Sequence, residues 1–118
     1  MSELFKKDTV IRVDECLKKF KSDLKIIALE TTARTAKDAA NSLKCELGAI
    51  VKSLVFKAEN EFLICLIAGD KRCSLNKLKK TLNKKDVSMA NANEVKEITG
   101  FSIGGVSPIG HLNKLNII

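Results

Sequence analysis

The chain has 118 residues, 45% apolar and 30% charged, with 21 Lys and Arg against 14 Asp and Glu for a net charge of +7. That length suits one domain around one core, and the apolar content excludes a disordered chain. No stretch reaches the ~18 apolar residues of a membrane-spanning helix, the mixed-charge start Met1 to Lys7 lacks the apolar centre of a secretory signal, and the absence of Trp and Tyr argues against a base-stacking platform for single strands.

These features make the cytoplasm the default compartment and give no expectation of a membrane partner. The positive charge favours polyanions, because releasing counterions from phosphates drives binding; solubility alone is the plainer reading. Cys16, Cys45, Cys65 and Cys73 are widely and irregularly spaced, without a C-x-x-C, and there is one histidine. A Cys/His metal site is therefore not expected, and neither is a cofactor. Cys16 and Cys65 lie among apolar residues and read as small core side chains.

In chain order, Val10, Val13, Leu17 and Phe20 recur at helical steps and predict a helix over residues 9–20, with Asp8 or Thr9 as its cap. Leu24 to Leu29 is short and apolar and suits a strand. Thr35 caps a second helix, with Asp38 in a variant of the capping box and a narrow face of Ala36, Ala39, Ala40 and Leu43; Gly48 marks a turn. Residues 49–57 and 61–68 are the clearest strands, joined by the polar break Glu59-Asn60 as a hairpin. Ser74 caps a third helix with Leu75, Leu78 and Leu82 inward and Lys77, Lys79 and Lys80 outward, followed by Lys84 and Lys85. Residues 87–90 suit a short strand. Asn91 and Glu94 form a capping box for a fourth helix that ends at Gly100. A loop rich in glycine follows, Gly104-Gly105-Val106-Ser107-Pro108-Ile109-Gly110-His111, and residues 115–118 suit a last strand.

Four features carry possible chemistry. Lys52 falls on a strand face with Ile50, Leu54 and Phe56. A lysine there pays a desolvation cost unless it meets an anion or reaches water; the plainer reading is an edge lysine that snorkels to solvent. The glycine loop can expose backbone N–H groups to an anion or a developing oxyanion, with Pro108 stiffening it, or it can be a structural turn. It is neither a Walker loop nor a dinucleotide fingerprint. His111 can act as a base or polar contact, or sit as a surface residue, and no serine or cysteine pairs with it as a nucleophilic triad. The lysine face of the third helix can touch a phosphate backbone or be a solvated face.

Taken in order, these segments resemble the YbaK/prolyl-tRNA synthetase editing-domain family. The residues carrying the resemblance are Thr35 to Ala40, Leu47-Gly48, Ile50 to Phe56 with its lysine inside an apolar strand, Leu75 to Leu82, Met89-Ala90, and Thr99 to His111. It covers nearly the whole chain. It implies an α+β fold, a mixed, partly closed, barrel-like sheet with helices packed outside, as a single editing domain over residues 1–118. Family members continue past the glycine loop with a further strand region and a glycine motif ending in histidine, so the domain is expected to stop short of that C-terminal segment.

The resemblance also implies a free-standing trans-editing hydrolase that deacylates misacylated tRNA, of tRNA-Pro type and carrying Ala, Cys, Ser or Thr. Misacylated tRNA is the implied partner, along with prolyl-tRNA synthetase or another synthetase. Lys52, Gly104, Gly105 and Ser107 are the expected catalytic residues. Thr31, Ile50, Pro108, Gly110 and His111 are the expected substrate-binding residues, and Thr31, Thr32, Ile50, Leu66 and Ala68 the candidates for setting pocket size. Backbone groups from Gly104 to Pro108 would hold the aminoacyl carbonyl and the water, the neighbouring ribose hydroxyl would help activate that water, and Lys52 would meet the terminal phosphate or stabilise negative charge. The competing readings are a non-catalytic module of the same fold that binds tRNA or a synthetase, and a small-molecule or nucleotide-binding protein using the same pocket.

Overall fold

The computed structural model describes residues 4–29 and 35–118. After a short 3-10 turn at Leu4–Lys6 come helix α1 (Asp8–Phe20), helix α2 (Ala36–Leu43), a second 3-10 turn (Leu47–Ala49), strands β1 (Val51–Ala58) and β2 (Glu61–Ala68), helix α3 (Leu75–Leu82), strand β3 (Val87–Met89), helix α4 (Ala92–Thr99) and strand β4 (Asn116–Ile117).

The β1–β2 hairpin is the spine. Its antiparallel register runs from Val51 opposite Ala68 to Ala58 opposite Glu61, and Glu59 turns the chain with a positive φ. The sheet order is β3-β1-β2-β4, with β3 antiparallel to β1 and β4 parallel to β2. The sheet is thus mixed, as expected, but it is open. Its outer strands have three and two residues, too few to bend round and meet, so the barrel-like closure is not formed among the described residues.

Alternation along the hairpin makes two cores, one per face. On one face Phe56, Ala58 and Leu63 pack against Leu78 of α3 and Val87, with Leu54, Cys65, Cys73 and Leu82 around them. On the other, Val55 and Ile64 pack against Val95 of α4 and Ala90, flanked by Phe62, Val106 and Leu115. The β1–β2 pair accounts for most of the sheet, and both β3 and β4 flank it near the hairpin turn. Residues 51–54 of β1 therefore keep one edge without a strand beside it among the described residues.

The caps form as the sequence predicts for three helices. Thr35 and Ser74 accept from the N–H groups of Asp38 and Lys77, and Asn91 and Glu94 make a reciprocal capping box closed by Gly100 in the left-handed conformation. Four expectations fail. Neither Asp8 nor Thr9 caps α1, whose N-cap is Lys7 without a side-chain bond. Residues 24–29 form no strand, because no neighbour offers them a ladder. Phe20 is 84% exposed, because it closes α1 where the helix has run past the rest of the fold. Leu75 is also exposed, since at the first position of α3 it precedes the turn that meets the sheet.

Replacing Asn91 by Ala should lower unfolding free energy by about 1 kcal/mol, the usual value of such a cap. Urea titration of the two proteins measures it, and an unchanged midpoint would show that the capping box contributes nothing to stability.

Candidate functional site

A cleft of about 560 Å³ opens beside the uncovered edge of β1. Its walls come from the N-terminal turn of α2 (Thr35, Ala36, Lys37), the Leu47–Ile50 turn, β1 residues 51–54, Gly69, and Gly104 and Val106 of the glycine loop. Three segments distant in sequence thus converge where, among the described residues, no strand lies beside β1.

Of the expected residues, the structure brings Lys52, Ile50 and Gly104 to this cleft. Lys52 is half-buried, on the α3 face of β1 beyond the end of the helix, and its ammonium donates to the Lys71 carbonyl at 3.0 Å. That bond offsets part of the desolvation cost without an acidic partner. Among the described residues, the cleft lining contains two cations, Lys37 and Lys52, and no Asp or Glu. Its electrostatics favour an anion.

The glycine loop divides into parts with different duties. Gly105 donates its N–H to the Ser102 carbonyl at 2.9 Å, and Gly104 sits at the third position of that four-residue turn with φ +84°. This is the place where a type II turn requires glycine. Apart from its chain neighbours, no described residue has an atom within 4 Å of where a Gly104 side chain would begin. The Gly105 amide is already committed to the turn. The Gly104 and Val106 amides donate to no acceptor among the described residues.

Ser107, Pro108, Gly110 and His111 do not line the cleft. Ser107 Oγ accepts from the Ile109 N–H at 3.2 Å. His111 Nε2 lies 2.6 Å from the Ser107 carbonyl, which only accepts, so that nitrogen carries the hydrogen. The His111 ring packs edge-on against Phe101 with centroids 5.9 Å apart. Gly110, with φ +78°, lets the loop approach the α1 backbone, where an added Cβ would stand 3.2 Å from Arg12 main-chain atoms. These residues shape the loop. Leu66 and Ala68 line a different depression together with Arg72 and Cys73. Thr31 and Thr32 lie outside the described residues.

Three further residues shape the cleft and its loop: Arg12, Ser53 and Lys37. Arg12, on α1, donates to the Gly100 and Gly110 carbonyls, each at 3.1 Å, and stacks on Phe101 at 4.8 Å. It thereby ties together the two ends of the loop. Its position opposite a Gly-rich segment was not visible in sequence, because the contact spans about ninety residues. Ser53 lines the cleft, and its buried hydroxyl has no hydrogen-bond partner among the described residues. Its place beside Lys52 on a strand was the available signal. Lys37 was legible only as part of a helix start.

Among the described residues, no His, Cys, Asp or Glu lines the cleft, and no cluster of such residues suits a metal ion. Burial, and then the neighbouring Cys73, pushes the Cys65 thiol up, which disfavours a thiolate there. The chemistry available in the cleft is that of backbone amides, two hydroxyls and two ammonium groups.

Replacing Arg12 by Ala should cost about 2–3 kcal/mol of stability, from two hydrogen bonds of a charged donor and one cation–π contact. Arg12→Lys should recover only part of it, since one ammonium lacks the planar fork that reaches both carbonyls. Denaturant midpoints decide, and full rescue by Lys would show that charge alone matters.

Comparison with known proteins places these features in context. Residues 30–118 match the family model of the aminoacyl-tRNA editing domain. A solved structure described as a candidate trans-editing enzyme for prolyl tRNA synthetase superposes with a TM-score of 0.87 at 38% identity, covering 94% of this chain and 71% of that one. The proline–tRNA ligase of Thermosipho africanus is 38% identical over 85 residues, 72% of this chain but 15% of the ligase. Protein YwhH of Bacillus subtilis, uncharacterized, is 37% identical over 86 residues, 72% of this chain and 54% of YwhH. The chain therefore corresponds to a small part of the ligases and about half of YwhH. Among the described residues, no helix is long and apolar enough to cross a membrane.

Proposed function

Because the chain belongs to the aminoacyl-tRNA editing domain family, we propose that it is a cytoplasmic trans-editing hydrolase that removes a small wrong amino acid from misacylated tRNA, of tRNA-Pro type. The observation that carries this is the convergence of Lys52, the Gly104 backbone and a Ser53 hydroxyl on one cleft that, among the described residues, holds no acid and leaves that hydroxyl without a partner.

Ester hydrolysis needs a placed carbonyl, a water and stabilisation of the tetrahedral oxyanion. The uncommitted Gly104 and Val106 amides supply the donors; the Gly105 amide is occupied. With no His, Asp or Glu lining the cleft among the described residues, the ribose hydroxyl next to the ester is the group on hand to activate the water. Lys52 and Lys37, aided by the N-terminus of α2, meet the phosphate of the terminal nucleotide. Ile50, Leu47 and Val106 offer an apolar wall to the amino-acid side chain. Ser53 meets a polar group on the substrate, since a buried hydroxyl without a partner costs about 1–3 kcal/mol. Ser107, Pro108, Gly110 and His111 hold the loop in shape. Prolyl-tRNA synthetase or another synthetase is the protein partner that this role fits.

A panel of tRNAs charged with Ala, Cys, Ser and Thr tests the reading. The wild type should deacylate at least one. Lys52→Ala should lower kcat/KM by about ten- to a hundredfold, on the scale of a lost charged contact. Gly104→Val should abolish turnover, because a β-branched residue does not adopt φ +84°. Ser53→Ala should shift the preference among Ala, Ser and Thr substrates by several-fold. Binding without turnover across the panel would replace the hydrolase by a non-catalytic tRNA-binding module, and full activity of Lys52→Ala would remove that residue from the mechanism.

A further inference from the structure

The net charge is not spread over the molecule. Residues 71–85 hold seven cations, Lys71, Arg72, Lys77, Lys79, Lys80, Lys84 and Lys85, and no Asp or Glu. The chain has 21 basic and 14 acidic residues, so the remaining 103 residues carry 14 of each sign and are neutral. The whole excess of +7 resides in this one segment of fifteen residues.

The fold makes the segment a track that begins at the cleft. Gly69 lines the cleft, and the Lys71 carbonyl holds the Lys52 ammonium. From there α3 runs about 12 Å along the sheet at 1.5 Å per residue, anchored by buried Leu78, and ends beside the hairpin turn. Lys71, Arg72, Lys77, Lys80 and Lys85 are exposed. Among the described residues, one of the seven is ion-paired, Lys84 with Glu61 at 3.8 Å. The acids nearby are Asp70 and Asp86 at the ends of the segment and Glu59, which shares a depression with Lys79 to Lys85 and accepts from the Lys85 N–H. No aromatic residue lies in the segment, so it offers charge without stacking, which suits the phosphates of a base-paired stem.

We propose that the 71–85 segment is the docking track for the phosphate backbone of the base-paired tRNA stem that adjoins the aminoacylated end, delivering that end to the cleft. The inference rests on the editing reading for the identity of its ligand, and its test separates the two.

The experiment uses the full chain as wild type, as Lys77→Glu/Lys80→Glu, and as Lys19→Glu/Lys25→Glu, a control with the same change of charge on the opposite part of the chain. Thermal midpoints establish that all three fold. Two measurements follow: binding to uncharged tRNA across a salt series, and deacylation of misacylated tRNA against the same aminoacyl ester on a short 3′-terminal oligonucleotide. The track variant should weaken tRNA binding and raise KM for tRNA by about tenfold or more, reduce the slope of log K against log salt by about 2, one per lost phosphate contact, and leave the oligonucleotide reaction unchanged. Equal effects of the track and control variants would overturn the proposal, as would equal loss on tRNA and oligonucleotide. Lysine-dependent binding to a synthetase or to anionic vesicles with no binding to tRNA would also overturn it. Track-dependent tRNA binding without turnover would uphold the docking track while removing the hydrolase.

Discussion

The loop that walls one side of the cleft is tied to α1 by one side chain, while the Leu112 N–H on the Thr99 carbonyl and the Asn113 amide on the Ile98 carbonyl join its two ends. Arg12 binds the carbonyls of Gly100 and Gly110 and covers Phe101 between them. The ten residues between those carbonyls are almost free of regular structure, and their conformational entropy would oppose any fixed arrangement. By fixing both ends to one guanidinium, α1 adds to the Thr99–Leu112 backbone bond that closes the segment into a loop of short reach. Inside it the Ser102–Gly105 turn and the Ser107–His111 contacts set the remaining shape. Planarity matters here: a fork can serve two acceptors and a ring at once, whereas a point charge cannot. The same contacts fasten α1, which buries no residue of its own.

Among the described residues, the cleft opens where no strand lies beside residues 51–54 of β1. Strands β3 and β4 both dock near the hairpin turn, where the two cores lie, and among the described residues the opposite end of β1 is flanked by the α2 start and by loops. An uncovered strand edge is ordinarily a liability, managed by charge or by cover. Here Lys52 supplies charge and the α2 start and glycine loop supply cover, but with space left between them. Ser53, on the opposite face of β1 from Lys52, pays for that space with a hydroxyl that no described residue satisfies. The pairing of a bonded cation with an unbonded hydroxyl, on adjacent residues facing opposite ways, lets one strand edge contact a ligand from both sides.

Much of this was legible in the sequence wherever the signal is local. The hairpin turn, the caps at Thr35, Ser74 and Asn91, and the stop at Gly100 need only neighbours within four residues, and all formed. The face that Lys52 shares with Leu54 and Phe56 followed from strand alternation. What was not legible depends on distant partners. Residues 24–29 have strand composition but no ladder, Phe20 continues a stripe past the surface it was meant to cover, and Arg12 reads as an ordinary helix cation until Gly100 and Gly110 are brought to it. Within the glycine loop composition shows that the loop is shaped, whereas which amides are spent on the shape and which residues reach the cleft are matters of pairing.

Concentrating the charge in one segment has a structural cost that the fold meets locally. Lys77 and Lys80 are three residues apart on one helix face, and such like-charge pairs destabilise a helix by a few tenths of a kcal/mol each. Lys79 and Lys80 lie in the last turn of α3, with Lys84 and Lys85 just beyond, where the helix dipole favours cations. Ser74 caps the other end, and Leu78 and Leu82 hold the helix to the sheet. The repulsion is thus placed where the backbone tolerates it best, on a helix whose attachment is apolar and indifferent to charge. The other 103 residues are neutral in sum, and the segment contributes Leu78, Cys73 and Leu82 to one of the two cores while Lys71, Arg72, Lys77, Lys80 and Lys85 stay exposed and Lys84 pairs with Glu61.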